Sequence, residues 1–432
     1  MRRRKSARTR ISSREMVTTS IHALPEEVLI IIFSYCSYSE LVDCLQFVCT
    51  RWQQVSRSKL LWKNLVYAPG ADVRERDIIV KLRRSPRLQA VDFSMQVEVS
   101  ADMVRTLGQS CHELRVLHFA GSQDVSVKSL RSLQMNCPDI EELSIADLIF
   151  MNIRKVKVLA DFTRMKTLIV KGINKRYDTV ELIANEFPHL EHLELRNVLF
   201  TKKDLEHLME RKQDHLSVLT LCCSTRDHYC VLPYLSHCTH LKSLTLERLC
   251  RHFELLPFEA FPNLPTVSFL MLTFGGFLNI SYCKAFFKSF SQIKELHLFL
   301  CQVYESDDII SLFARECPLL QKITFNKCYG LLNDQRVMEL LFLKQLKSLT
   351  IISDHNITDK AMEYLQNLPN LRYLSFYHCD HITEKSLKIL SDFPKLEFLE
   401  FSHCKRMSKK SVMYLKRKLP HLLLRMENPI RT

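Results

Sequence analysis

The sequence predicts an α/β fold in which a small three-helix unit precedes a curved solenoid of parallel strands and helices. Two observations carry this prediction. Residues 21–66 hold helix-start signals, apolar residues at helical spacing and both tryptophans of the chain. From Leu88 onwards an apolar phrase returns about every 25 residues, which is typical of units that stack into an array. We therefore divide the 432 residues into a tail at 1–20, a helical unit at 21–66 and an array at 67–432.

The tail at 1–20 is strongly basic. It holds seven lysines and arginines against Glu15 alone, and no apolar run that could form a core. Such a composition does not offset the conformational entropy lost on folding, so we predict a disordered tail. Two roles stay open for it, a nuclear import signal and a solubilising extension.

The helical unit begins at Pro25, whose missing N–H suits the start of a helix. Ser39 is the predicted N-cap of a second helix. The apolar run from Val28 to Phe33 is too long for all its side chains to face one small core. A unit of about 45 residues also buries little surface alone, so we expect apolar side chains left over for an interface.

The residues of this unit resemble the F-box motif. Cys36 departs from the leucine usual in that family, which is a mild change. The resemblance implies a docking motif for the Skp adaptor, which links F-box proteins to a cullin–RING ubiquitin ligase. A generic three-helix cap on the array is the alternative. The matching positions are Leu24, Pro25, Glu26, Glu27, Val28, Leu29, Ile32, Phe33, Leu41, Val48, Cys49, Arg51, Trp52, Leu61 and Trp62.

The resemblance also gives the expected adaptor contacts. Some of them must pack the F-box itself, and the sequence does not separate the two groups. The seven candidates are Leu24, Pro25, Ile32, Phe33, Leu41, Val48 and Trp52.

The array repeats a phrase of leucine, two residues, leucine, one residue and an apolar residue. Successive phrases start at Leu346, Leu371 and Leu396, at intervals of 25 residues. This period is that of leucine-rich repeats, in which each unit contributes one strand and one helix. Leu374 and Phe376 should point into the core, and their neighbours should point to the other face. We expect about 13–14 repeats, with strands lining the concave side and helices covering the outside.

One stretch of the array is irregular. The phrase assigned to Leu264 follows that at Leu241 by only 23 residues and precedes the next by 29. Pro265 beside it suits an edge or a bulge better than a regular ladder. We therefore predict a local insertion or a bend over residues 255–292.

The cysteines keep step with the repeat and resemble the cysteine-containing subclass of leucine-rich repeats common among F-box proteins. Cysteines and histidines crowd residues 222–240, which raises the alternative of a zinc site, but the chain has no C-x-x-C pair. We expect no metal, no cofactor and reduced thiols. Four cysteines fall eight residues after the first leucine of their unit and four close a helix: Cys301, Cys328, Cys379 and Cys404, then Cys111, Cys137, Cys238 and Cys317.

The net charge of +14 lies at the two ends of the chain. Residues 1–20 carry +6, from seven basic and one acidic, and residues 405–432 carry +8, from nine and one. The body between them is neutral, with 45 residues of each sign, which argues against an extended nucleic-acid groove. No secretory signal or membrane span is predicted, so we expect a cytoplasmic or nuclear protein. No H-E-x-x-H or G-x-S-x-G motif points to catalysis.

Aromatic residues at concave positions of the late repeats predict a site for a target protein, because exposed aromatics are favoured interface anchors. Ordinary cross-strand stacking is the alternative. The candidates are Phe299, Tyr373, Tyr377, His378, Phe398 and His403.

These observations favour a non-catalytic substrate-recognition subunit of an SCF (Skp–cullin–F-box) ubiquitin ligase. The F-box would bind the Skp adaptor and the array an unknown target. Two alternatives remain: an interaction adaptor outside any ligase, and a nucleic-acid-associated protein that uses its basic ends.

Overall fold

The computed structural model describes residues 21–96, 99–119, 125–146, 153–172, 178–198, 200–223, 232–249, 263–274, 280–302, 308–393 and 395–427. The basic tail predicted at 1–20 lies outside this part of the chain. The predicted α/β architecture is confirmed, because a helical N-terminal unit leads into a long parallel sheet flanked by helices.

The N-terminal unit consists of short helices joined by tight turns. Pro25 occupies the N-cap position of the first helix, and Glu26 and Glu27 lie in its first turn. The second helix is capped by Ser37, which forms a capping box with Glu40, so the predicted cap at Ser39 is wrong by two residues. The helices are α1 (Glu26–Phe33), α2 (Tyr38–Asp43), α3 (Thr50–Ser56) and α4 (Lys59–Trp62), with 3₁₀ segments at Ile21–Ala23 and Leu45–Phe47.

The described part of the array contains fifteen strands in one sheet. Each strand pairs in parallel with its neighbour in chain order, as expected for stacked repeats. They are β1 (Val66–Tyr67), β2 (Ala90–Phe93), β3 (Val116–Phe119), β4 (Glu142–Ala146), β5 (Thr167–Lys171), β6 (His192–Val198), β7 (Val218–Cys223), β8 (Ser243–Leu249), β9 (Phe269–Phe274), β10 (Glu295–Phe299), β11 (Lys322–Asn326), β12 (Ser348–Ile352), β13 (Tyr373–Tyr377), β14 (Phe398–Ser402) and β15 (Leu423–Glu427).

Helices return the chain between these strands and cover the opposite side of the core. In the described residues, two returns are 3₁₀ helices in place of α-helices, at Leu232–Leu235 and Arg336–Phe342. The α-helices are α5 (Glu75–Arg83), α6 (Ala101–Ser110), α7 (Val127–Asn136), α8 (Ile153–Ala160), α9 (Asp178–Glu186), α10 (Lys202–Lys212), α11 (Ile280–Lys288), α12 (Ile309–Glu316), α13 (Lys360–Leu365), α14 (Glu384–Leu390) and α15 (Lys409–Lys418).

Alternation along each strand separates the core from the inner surface. In β13, Leu374 and Phe376 are fully buried, as predicted, whereas Tyr373 remains 44% exposed. Neighbouring strands lie about 4.8 Å apart, while packed helices need about 8–10 Å. The sheet therefore curves, with its strands on the concave side.

The irregular unit is more regular than the sequence indicates. Leu270 of β9 pairs with Leu244 and with Leu296, the second leucines of the flanking phrases. The phrase therefore starts at Val267 and not at Leu264, and both intervals become 26 residues. The predicted insertion is therefore wrong for the described strands β8, β9 and β10, and Pro265 lies in the turn before β9. The pairing of β8 with β9 does shift register between Leu246 and Leu249, an irregularity of the bulge type.

The turns that follow the late strands share one backbone conformation. Leu300, Lys327, Ser353, His378 and His403 each have φ between 52° and 57°, in the left-handed region. Each N–H donates to the last carbonyl of the next strand, as His378 does to Ser402 at 2.9 Å. This bond stabilises an unusual conformation for residues other than glycine and sets a row of side chains along one rim of the sheet.

Buried cysteines occupy the next position of these turns. The Cys379 thiol donates to the Ile351 carbonyl at 3.6 Å, and the Cys404 thiol donates to the Phe376 carbonyl at the same distance. A thiol thus links consecutive repeats as a small apolar residue with a weak donor. In the unit between Cys328 and Cys379, Asp354 takes this place and is also buried.

Asp354→Asn is expected to stabilise the protein above pH 7 by about 3 kcal/mol. Burial raises the pKa of the Asp354 carboxyl to about 6 from 3.8, although the Asn356 N–H donates to it. Its ionised form is therefore disfavoured in the folded state, and stability falls as pH rises from about 4 through 6. Urea unfolding of both proteins at pH 4 and at pH 7.5 measures the difference, which should vanish at pH 4. Equal stabilities at pH 7.5 would contradict it.

Lys212 is the more deeply buried of two buried lysines in the described array, the other being Lys155. The Lys212 side chain has no exposed surface, and its ammonium donates to the carbonyls of Ala184, at 2.8 Å, and Phe187 at the end of α9. The last carbonyls of a helix have no partners within the helix. At the end of α5, the Cys111 thiol donates to the carbonyls of Leu82 and Ser85. At the end of α9, the Lys212 ammonium takes the place of such a thiol.

Candidate functional site

The core of the N-terminal helical unit is formed by residues that match the F-box motif. Leu29, Leu41 and Trp62 are buried, and the Phe33 ring meets the Trp52 ring edge-on at 5.0 Å. Phe33 and Leu41, both predicted adaptor contacts, therefore shape the unit from inside and do not present their side chains to a partner.

One face of α1 is apolar and open to solvent. Ile31 is 58% exposed and Tyr35, just beyond the end of the helix, is 86% exposed. We call the four residues the α1 row, since their spacing puts them on one side of the helix: Val28, Ile31, Ile32 and Tyr35.

The other predicted adaptor contacts are divided by the structure. Pro25, Ile32 and Val48 are exposed, whereas Leu24 and Trp52 are half-buried. The sequence prediction omitted Ile31 and Tyr35, which the spacing of the α1 row would have revealed. A contiguous exposed apolar face on so small a unit is typical of a protein interface.

The F-box packs directly on the first repeat. The Tyr38 ring stacks on Tyr67 of β1 with centroids 4.5 Å apart, and its hydroxyl shares a 2.8 Å hydrogen bond with Ser85. The Lys81 ammonium lies 3.0 Å from the Asp43 carboxylate. Burial raises the pKa of Tyr38 well above its usual range. These contacts fix the orientation of the F-box relative to the solenoid.

The late strands bring together five of the six predicted target-binding residues. The rings of Tyr373 and Phe398 lie 6.4 Å apart, and those of His378 and His403 stack at 4.7 Å with planes 6° apart. The histidines stack because both occupy the left-handed turn position in consecutive repeats. We call Tyr373, Tyr377, His378, Phe398 and His403 the late concave patch.

Phe299 does not join this patch. It ends β10, three strands before β13, which places it about 14 Å away along the sheet. It lies at a concave position, half-buried, and stays a separate candidate.

The early concave surface holds a polar network, of which the repeat pattern in the sequence shows the acidic inward-facing positions but not the histidines and the arginine paired with them. His118 lies between Asp92 and Glu142, with its Nε2 2.9 Å from Glu142. Hydrogen bonds from His192 and Arg196 lower the pKa of Glu194 to about 2 despite partial burial. These residues alternate with core leucines at odd strand positions, which is the signal that would have identified them. Their charges are satisfied within the protein.

Metal-binding groups are not assembled in the described residues. No group of three or more histidine, cysteine or acidic side chains there is placed to hold a metal ion. Of the crowded set at 222–240, Cys222 and Cys238 are buried, and residues 224–231 lie outside the described chain. In the same described residues, no helix is long and apolar enough to cross a membrane.

The chain thus joins a small helical unit with an open apolar face to a leucine-rich solenoid, the construction of a two-part interaction protein. The family model described as F-box-like matches residues 21–68. The chain therefore combines an F-box-like domain with a solenoid of the leucine-rich-repeat type.

One of the similar solved structures supports the fold. The chain is similar to the structure of the Rad7 and Elc1 complex in yeast, at 19% identity over 92% of each chain with a TM-score of 0.52. A leucine-rich-repeat protein of Leptospira interrogans aligns at 15% identity over 89% of this chain and 93% of that one, with a TM-score of 0.40. No sequence among curated proteins matches the chain.

Proposed function

We propose that this protein is the substrate-recognition subunit of an SCF ubiquitin ligase. The F-box binds an Skp-type adaptor, and through it a cullin–RING core, while the concave face of the late repeats binds a target protein. The protein itself is non-catalytic and works in the cytoplasm, the nucleus or both. The observation that carries the proposal is the exposed α1 row on an F-box-like domain.

The α1 row supports adaptor binding because it exposes large apolar side chains that the unit does not need for its own core. Covering them in an interface removes apolar surface from water, which favours association. The solved structure with the same fold is of Rad7 in complex with a second protein, Elc1. That precedent supports assembly with a partner.

The junction between F-box and solenoid supports a presenting role. Because Tyr38, Tyr67 and Ser85 hold the two parts together, a target on the concave face is held at a fixed orientation to the adaptor. Fixed geometry raises the effective concentration of a target lysine near the ligase machinery.

Affinity purification under proteasome inhibition tests the proposal. The intact chain should retain the adaptor and the cullin, and a chain without residues 21–66 should lose both while keeping its targets. Since this deletion uncovers Tyr67, circular dichroism must show that the solenoid remains folded. An intact chain that captures neither adaptor nor cullin would favour an interaction adaptor outside any ligase.

The basic C-terminal end keeps nucleic acid as a second candidate. Exposed cations follow the end of β14 and run along α15, among them Lys410, Lys416, Arg417 and Lys418. Binding to arbitrary DNA that weakens steeply with salt, and that is lost when these residues are neutralised, would favour this candidate.

A further inference from the structure

The charges around the late concave patch bear on what kind of target segment fits there. The strand positions of β12 to β14 that face the concave side carry one charged side chain, Glu400, and the rest are polar or apolar. The patch therefore offers aromatic surface and hydroxyl groups, with a carboxylate beneath them.

The two arginines nearest to the patch are already paired with carboxylates. Arg372 forms an ion pair with Glu397 at the start of the strands. On β15, Arg425 pairs with Glu427 and lies 3.4 Å from Glu400. A phosphate group is usually bound by arginines that are free to donate two hydrogen bonds. Here each arginine would have to leave a carboxylate first.

Lys322 on β11 is also paired with a carboxylate. Its ammonium lies 2.5 Å from the Glu295 carboxylate on the neighbouring strand. Such pairs therefore lie on both sides of β12, whereas the Lys347 ammonium just before β12 donates to the Gln321 amide oxygen at 3.0 Å.

The tyrosine hydroxyls of the patch also point to carboxylates. The Tyr373 hydroxyl donates to Glu397 at 3.2 Å, and the Tyr377 hydroxyl donates to Glu400. Burial and then the bond to Glu400 raise the pKa of Tyr377 to about 12. A phosphate placed over these rings would lie close to the carboxylates of Glu397 and Glu400, which repel it. The hydroxyls and arginines that would donate to a phosphate already donate to those carboxylates.

The patch also exposes apolar side chains to solvent. Tyr373 is substantially exposed, Phe398 is half-exposed beside it, and Leu423 of β15 is largely exposed at the next position. At the other end of the strands, Ile352 is half-exposed beside Tyr377. Strand positions in parallel register line these side chains up, so Tyr373, Phe398 and Leu423 form one continuous row. An extended segment laid along this row would bury its apolar side chains.

We propose that the late concave patch recognises an unphosphorylated apolar segment of the target, flanked by lysine or arginine, and that phosphate on that segment weakens binding. The proposal rests on the proposed role of the patch as the target site. Aromatic rings hold the apolar side chains and attract a neighbouring cation. The three carboxylates of Glu397, Glu400 and Glu427 outnumber the two arginines paired with them, Arg372 and Arg425, and the remaining negative charge favours a cation as well.

An exposed cation on the rim of the sheet is the alternative binding group for a phosphate on the target. Lys327 follows β11 in the left-handed turn position, exposed, two repeats before His378. If the target carried a phosphate read from the rim, Lys327→Ala would weaken binding. The proposal expects no change.

Selection from a library of random peptides displayed on phage tests the inference. The full chain is used as bait, and peptides are kept if they bind it but not a chain carrying Tyr373→Ala with Phe398→Ala. Both substitutions are at solvent-facing positions, and thermal unfolding checks that the variant is folded. Selected peptides are then synthesised with and without a central phosphoserine, and their affinities are measured by fluorescence anisotropy.

We expect peptides rich in apolar residues with lysine or arginine, and at least about tenfold weaker binding of the phosphorylated forms because like charges oppose each other. Enrichment in aspartate or glutamate, tighter binding of phosphopeptides, or failure to select any peptide would overturn the inference. Adaptor binding by the same bait is measured in parallel. Retained adaptor binding with a preference for phosphate would overturn this inference and leave the proposed function standing.

Discussion

Ile31→Glu is expected to weaken binding of the Skp-type adaptor by about a hundredfold or more while leaving the fold intact. Ile31 is the central residue of the α1 row, and its side chain is mostly in water in the free protein. A glutamate there costs the free chain about 0.5 kcal/mol at most. In a closed interface the same carboxylate would be buried without a partner, which costs about 3 kcal/mol or more.

Isothermal titration calorimetry with purified adaptor measures this loss, and two variants control it. Met135→Glu places the same charge on another exposed apolar residue, 78% exposed on α7, and should leave the affinity unchanged. Phe33→Ala removes a buried ring and should lower the unfolding temperature instead. Unchanged adaptor affinity for Ile31→Glu would show that the α1 row is not the adaptor interface.

Lys212→Ala is expected to lower the free energy of unfolding by about 3–5 kcal/mol. The substitution leaves a cavity and strands the carbonyls of Ala184 and Phe187, which the ammonium now satisfies. Burial also lowers the pKa of Lys212 to about 8 from 10.5, so the charged form is held at some cost. Urea unfolding at pH 7 measures the loss.

Lys212→Met is the matched control because methionine fills similar space without charge. We expect it to lie within about 1 kcal/mol of the natural protein at pH 7, since the lost hydrogen bonds and the lost desolvation penalty oppose each other. The folded chain releases the Lys212 proton near pH 8 and the unfolded chain near 10.5. Stability of the natural protein should therefore rise between those values by about 3 kcal/mol relative to Lys212→Met. A constant difference across that range would contradict the buried charge.

The repeat architecture can be predicted from the sequence because the leucine period is strong. The register of one repeat, the one that contains β9, cannot. Leu264 and Val267 are both buried and stand three residues apart, so either fits the first position of the phrase. Only the pairing of Leu270 with the flanking strands decides between them. Composition along one strand carries no information about its partner, which is why the predicted insertion is wrong.

The sequence does not separate core from surface positions within the F-box motif. The motif marks Phe33 and Ile32 equally, but whether a side chain enters the F-box core depends on helix orientation, which the structure gives. Polar residues inside the array were missed for another reason. Lys212 and Asp354 look like surface residues in the sequence, and only the three-dimensional path of the turns and helix ends shows that they are buried.

The unbroken order of the strands also sets a length. Twelve steps separate β1, beside the F-box, from β13 in the late concave patch. At about 4.8 Å a step they span about 58 Å along the inner arc. Removing one whole repeat from the middle of the array would bring the patch one step closer and rotate it about the solenoid axis, with every contact residue unchanged. The number of repeats therefore sets the distance between the two proposed docking surfaces.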